Sequence, residues 1–72
     1  MVKQALGVRI AALRRAKGLS QEEFAGKSGY SVEFISLVER GVNAPSVAGL
    51  EKIAKALGVE IKDLFDFGEV AE

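Results

Sequence analysis

The sequence predicts an all-α fold of five short helices, and three observations carry that prediction. Leucine and isoleucine recur at intervals of three and four, the repeat of one helical face. Serine precedes and glycine follows several of these stretches, the residue types that start and stop helices. Pro45 is the only proline, threonine is absent, and no short run alternates β-branched with polar residues, so nothing calls for a strand.

The elements follow in order. From Gln4 to Lys17, Leu6, Ile10 and Leu13 share a face, while Arg14, Arg15 and Lys17 crowd the last turn, where cations suit the helix dipole. Gly18 stops this helix. Ser20-Gln21-Glu22-Glu23 is a capping box opening a short second helix that carries Phe24 and Ala25 inward and ends at Ser28-Gly29. Ser31 caps a third helix, with Ile35 and Val38 as core residues and Gly41 just beyond its end. Val42 to Pro45 reads as a loop, because the residue before proline is pushed out of helical geometry. Ser46 caps a fourth helix with Leu50, Ile53, Ala54 and Leu57 on one face, closed by Gly58. A fifth runs from about Glu60 to Phe65, with Ile61, Leu64 and Phe65 apolar, and a short acidic tail begins at Asp66.

Composition narrows the function. A chain of 72 residues predicts a single domain over 1–72. A core of this size supplies only about 3–5 kcal/mol, so tight helix packing or self-association is needed. With no Cys and no His, disulfides and the usual metal ligands are missing, so no metal, cofactor or small-molecule ligand is expected. The same absences argue against an enzyme. A carboxylate-only site would have to draw on residues such as Glu51 or Asp63, and nothing groups them. No apolar run approaches the roughly 18 residues of a spanning helix, the start does not read as a signal peptide, and a cytoplasmic location is expected.

The informative feature is the join between the second and third helices. Only Gly29 and Tyr30 separate the end of one from the cap of the next. So tight a turn needs a positive φ, which glycine supplies without steric cost, and the small Ala25 leaves room for the helices to approach. Alone, Gly29 would read as an ordinary helix stop. Joined to Ala25, Ile35 and Val38 at their spacings, it points to a helix-turn-helix over about residues 20–40.

Here the sequence resembles the XRE-type helix-turn-helix family of Cro and phage repressors. The resemblance rests on Gly18-Leu19-Ser20-Gln21-Glu22-Glu23-Phe24-Ala25, Gly29, Ile35-Ser36 and Glu39-Arg40-Gly41. It continues through Asn43-Ala44-Pro45-Ser46 and Leu50 to Val59, and on to Leu64-Phe65. It implies a compact, lambda-repressor-like five-helix domain that binds double-stranded DNA, usually as a dimer on a pseudo-palindromic site, with the third helix in the major groove. Small controllers of restriction–modification systems are similar.

The resemblance also implies residue roles. Gln21, in the first turn of the second helix, would bond a phosphate with help from the free N–H groups there, or be merely solvated. Arg14 and Glu39 would pair beneath the DNA-facing surface, with Arg14 also near a phosphate; otherwise they are two independent surface charges. Arg40 and Asn43 would meet phosphates, although Arg40 also suits the dipole at the helix end. Lys27 and Arg15 are weaker candidates of the same kind. Ser31, Val32, Glu33, Ser36 and Leu37 fall where base edges are read. Val32 and Leu37 suit thymine methyls, and Glu33 suits a cytosine amino group. The set contains no Arg–guanine or Gln–adenine pair, so it departs from the family's usual readers.

Two further expectations concern partners. Val47, Ile61, Leu64, Phe65, Phe67 and Val70 exceed what one small core can bury, which predicts a homodimer through the C-terminal region, with Ile61, Leu64, Phe65 and Phe67 at its interface. The zero net charge divides into seven cations and four anions over residues 1–40, a balance of +3, and three cations and six anions over 41–72, a balance of −3. The basic half is the one expected to meet DNA. The rival reading is a protein-interaction module, such as an antitoxin, in which Val32, Phe34 and Leu37 bind a protein partner.

Overall fold

The structure is a computed structural model that describes residues 1–68. It contains five α-helices: α1 (Val2–Ala16), α2 (Gln21–Ser28), α3 (Val32–Glu39), α4 (Val47–Leu57) and α5 (Ile61–Leu64). Three serines cap as the sequence predicts. The hydroxyls of Ser20, Ser31 and Ser46 accept from the N–H groups of Glu23, Phe34 and Gly49 at 3.0–3.1 Å. Ser20 N–H in turn donates to Glu23 Oε1, completing the capping box.

The boundaries differ at the ends of the chain. α1 begins at Val2 rather than Gln4: Met1 is its N-cap, and the Ala5 N–H closes the first turn on the Met1 carbonyl at 2.9 Å. It ends at Ala16, one residue before the predicted Lys17. α5 is a single turn, and Phe65 lies outside it. Its first turn is closed by Asp63, whose carboxylate accepts from Glu60 N–H at 2.9 Å.

α1 packs on α3 and α5, α2 on α3 and α4, and α4 on α5. Ile10, Phe24, Ile35, Ile53 and Leu64 meet at the centre with no exposed surface, ringed by Leu6, Ala25, Val38, Ala54 and Leu57. Each large side chain so buried contributes about 1.5–3 kcal/mol. Leu13 and Leu50, expected on core-facing stripes, are only half-buried at its rim, as is Ile61, and Phe65 is exposed.

Two contacts fix α1 against its neighbours. A Cβ on Gly7 would sit 2.3 Å from the Val38 carbonyl oxygen, so α1 touches the end of α3 backbone to backbone. Across the molecule, Arg9 Nε donates to the Asp63 carbonyl at 2.8 Å and ties α1 to α5. No helix among the described residues is long and apolar enough to cross a membrane.

Candidate nucleic-acid interface

The turn between α2 and α3 takes the form its sequence demands. Gly29 has φ 83°, and its N–H and that of Tyr30 both donate to the Ala25 carbonyl. The chain reverses in two residues and Ser31 caps α3 at once. Tyr30 then stacks on Phe34, ring centroids 4.6 Å apart, which fixes the start of α3. Phe34 is half-buried, at the edge of the core.

With Ile35 and Val38 turned inward, α3 presents its opposite face to solvent. Val32, Glu33, Ser36 and Leu37 line one shallow depression of about 630 Å3 together with Gln21 and Arg40. A second depression borders it, sharing Gln21, Ser36 and Arg40 and extending over Val8, Ala11 and Arg15 of α1. Five of the sequence-predicted residues outside α2 thus meet Gln21 on one surface. Ser31 is exposed at the start of α3, its hydroxyl oxygen already used as the cap. Asn43 stands apart, half-buried in the loop, with its N–H directed at the Leu37 carbonyl. Val8, Ala11 and Arg15 were legible in the sequence as one face of α1, but nothing there placed them beside α3.

A buried polar cluster lies under this surface. Arg14 Nε donates to Glu39 Oε2 at 2.7 Å and Nη2 to Oε1 at 3.1 Å, a two-pronged pair between α1 and α3. Arg14 Nη1 donates to the Leu19 carbonyl at 2.9 Å. The hydrogen bonds to Glu39 hold the guanidinium protonated more firmly than usual, outweighing the effect of burial. Arg14 and Glu39 are therefore not independent surface charges.

The cluster also bears on the predicted phosphate contacts. Each Arg14 nitrogen makes one hydrogen bond inside the protein and the side chain is 10% exposed, so Arg14 braces α1 against α3, with two of its five N–H groups left over. Gln21 Nε2 donates to Glu39 Oε1 at 2.9 Å. Its side chain is thereby held in place, with one amide hydrogen and its oxygen left for a ligand.

The C-terminal residues divide. Leu64 has no exposed surface and packs into the chain's own core, which removes it from the predicted dimer interface. Phe65 and Phe67 are 40% and 38% exposed and meet edge to face, centroids 6.2 Å apart. Ile61 is half-buried beside them in sequence, and Val47 is exposed on α4. Val70 lies outside the described residues.

The charge halves are not two separate faces either. Lys52 and Lys55 of the acidic half stand beside Lys27 of the basic half around a third depression. Among the described residues, no group of three or more His, Cys, Asp or Glu is placed to hold a metal ion.

Known proteins resemble this chain in sequence and in fold. The helix-turn-helix family matches residues 10–64. An uncharacterized HTH-type transcriptional regulator of Sinorhizobium fredii, y4dJ, is 43% identical over 63 residues, which cover 88% of this chain and 82% of that protein. The crystal structure of the restriction-modification controller protein C.AhdI from Aeromonas hydrophila superposes with a TM-score of 0.84 at 42% identity, covering 86% of this chain and 94% of that one. SinR, the master regulator for biofilm formation, solved in complex with DNA, superposes with a TM-score of 0.80 at 37% identity, covering 85% and 98%.

Proposed function

This chain belongs to the helix-turn-helix family of XRE-type, DNA-binding transcriptional regulators, and from that premise we propose that it acts in the cytoplasm as a homodimer on a pseudo-palindromic operator. The observation that carries this reading is the shared depression where the outer face of α3 meets Gln21 and Arg40. Its lining mixes the apolar Val32 and Leu37 with the polar Gln21, Glu33, Ser36 and Arg40, which suits base edges flanked by phosphates.

In this reading α3 enters the major groove. Val32 and Leu37 pack against thymine methyls, Glu33 accepts from a cytosine N4 amino group, and Ser31 and Ser36 bond whichever edge they meet. Gln21, Arg40 and Asn43 hold phosphates, joined by the free N–H groups at the start of α2. These phosphate contacts set register, and the outer face of α3 sets sequence.

Ile61, Phe65 and Phe67 form the pairing surface, with Val47 at its margin. Two-fold pairing would set the two α3 helices about 34–36 Å apart, one turn of DNA. Sedimentation at micromolar concentration reads this directly: a dimer is expected, and a monomer alone would remove the symmetric operator.

Selection from a random DNA pool, followed by affinity against salt, tests the DNA reading. One palindromic motif should be enriched, and log affinity should fall with log salt by about 0.9 per phosphate contact. No enrichment together with no salt slope would falsify it, and would favour Val32 and Leu37 as a protein-binding patch.

A further inference from the structure

A depression of about 540 Å3 lies on the α2–α4 side of the molecule, lined by Gly26, Lys27, Ser28, Gly29, Lys52, Lys55 and Ala56. It shares no residue with the two depressions beside α3. Its charged members are all lysines and all exposed, and no carboxylate lines it. Among the described residues, the ion pairs within 4 Å are Arg14–Glu39 and Lys62–Glu60, so none of these three lysines has a carboxylate partner. In a chain of zero net charge, three unpaired cations around one hollow are a local excess.

Helix dipoles explain part of it. Lys27 and Lys55 each stand in the last turn of their own helix, where a cation is favoured. Lys52 does not. It sits a turn earlier, its Nζ 5.7 Å from the centre of the Tyr30 ring, in the turn that precedes α3.

We propose that Lys27, Lys52 and Lys55 form a second phosphate clamp, gripping the DNA backbone at the N-terminal end of α3. This rests on the DNA reading above. Gln21, Arg15 and Arg40 gather near Glu39, at the C-terminal end of α3, whereas Tyr30 and Lys52 mark its N-terminal end. A recognition helix lies in the major groove with its N-terminal residues at the base edges, so lysines that border Gly29 and reach Tyr30, the residues leading into α3, stand near the backbone at that end. The glycines at 26 and 29 present no side chain to the hollow, so a phosphodiester can approach the lysines closely. An ammonium is a point charge without a fixed fork, which suits phosphates of any sequence.

The test uses the full chain and the operator duplex recovered by selection. Lys27→Gln, Lys52→Gln and Lys55→Gln are made singly and together, beside Lys62→Gln as a control that removes the same charge from α5. Thermal melting checks that each variant is folded. The triple variant should lower the log–log salt slope by about 1.8–2.7, the loss of two or three phosphate contacts, with no change in base preference. Lys62→Gln should leave the slope at its wild-type value. An unchanged slope in the triple variant, with wild-type DNA binding intact, overturns the clamp and leaves the hollow to an acidic protein partner. A fall of the same size per charge for Lys62→Gln overturns it too, since net charge alone would then explain the loss. Absence of salt-dependent binding by the wild-type chain overturns the DNA reading and the clamp together.

Discussion

The two faces of α3 obey different rules. On the inner face Ile35 has no exposed surface and Val38 is 1% exposed, and at the helix end Glu39 is fixed by Arg14 and Gln21. On the outer face Val32 is 37% exposed and Glu33 is exposed, its carboxylate in no ion pair with the described residues. The inner face is specified by packing, where one methylene more or less is felt. The outer face is constrained only by what it meets outside the chain. One eight-residue helix thus separates the residues that make the fold from those that choose the target.

The comparison is sharpest at Glu39. Glu39→Ala leaves the Arg14 guanidinium buried without its partner and should cost about 3–5 kcal/mol, roughly the whole stability of so small a core. Urea denaturation followed by circular dichroism reads this, and a loss under about 1 kcal/mol would make the pair no more than a surface one. Next comes a matched pair of truncations. Ile35→Ala should cost about 2–5 kcal/mol through the cavity it opens. Leu37→Ala should cost about 1 kcal/mol or less and instead change base preference. Equal stability losses with unchanged preference would erase the distinction between the faces.

Ser31→Ala lies on the boundary between them. It removes the cap on Phe34 N–H and should cost about 1 kcal/mol, seen as a lower denaturation midpoint. Glu33→Gln should have the smallest effect on folding, within about 0.5 kcal/mol. Its consequence belongs in a competition assay, where discrimination at one base position should relax while the salt slope stays the same. A marked loss of stability would show that Glu33 serves the fold.

The helices were readable wherever a local signal set them. Ser20, Ser31 and Ser46 act on backbone three residues away, and Gly29 supplies a conformation that its own lack of Cβ permits, so no distant contact is involved. The first helix starts earlier than its pattern shows because Val2 and Lys3 precede the Leu6-Ile10-Leu13 repeat, where no apolar spacing marks them. The fifth was placed but is too short for periodicity to set its end, and an apolar pattern alone does not separate Leu64, which is buried, from Phe65, which is not. The outer face of α3 was legible once Ile35 and Val38 were assigned inward, because helical geometry then places Val32, Glu33, Ser36 and Leu37 opposite.

By itself, the sequence determined five helices, the turn after α2 and the division of α3 into two faces, all consequences of interactions between near neighbours. Tertiary structure alone decided how polar groups were shared out. Arg14 meets Glu39 across 25 positions, a pairing that the family resemblance implied but no local pattern shows, and Arg9 meets the Asp63 carbonyl across 54, which nothing in the sequence indicated. The same holds for charge. Summed along the chain, Lys52 and Lys55 belong to the acidic half, yet the packing of α2 on α4 sets them beside Lys27. A charge acts through distance in space, and only the crossing of the helices fixes that distance.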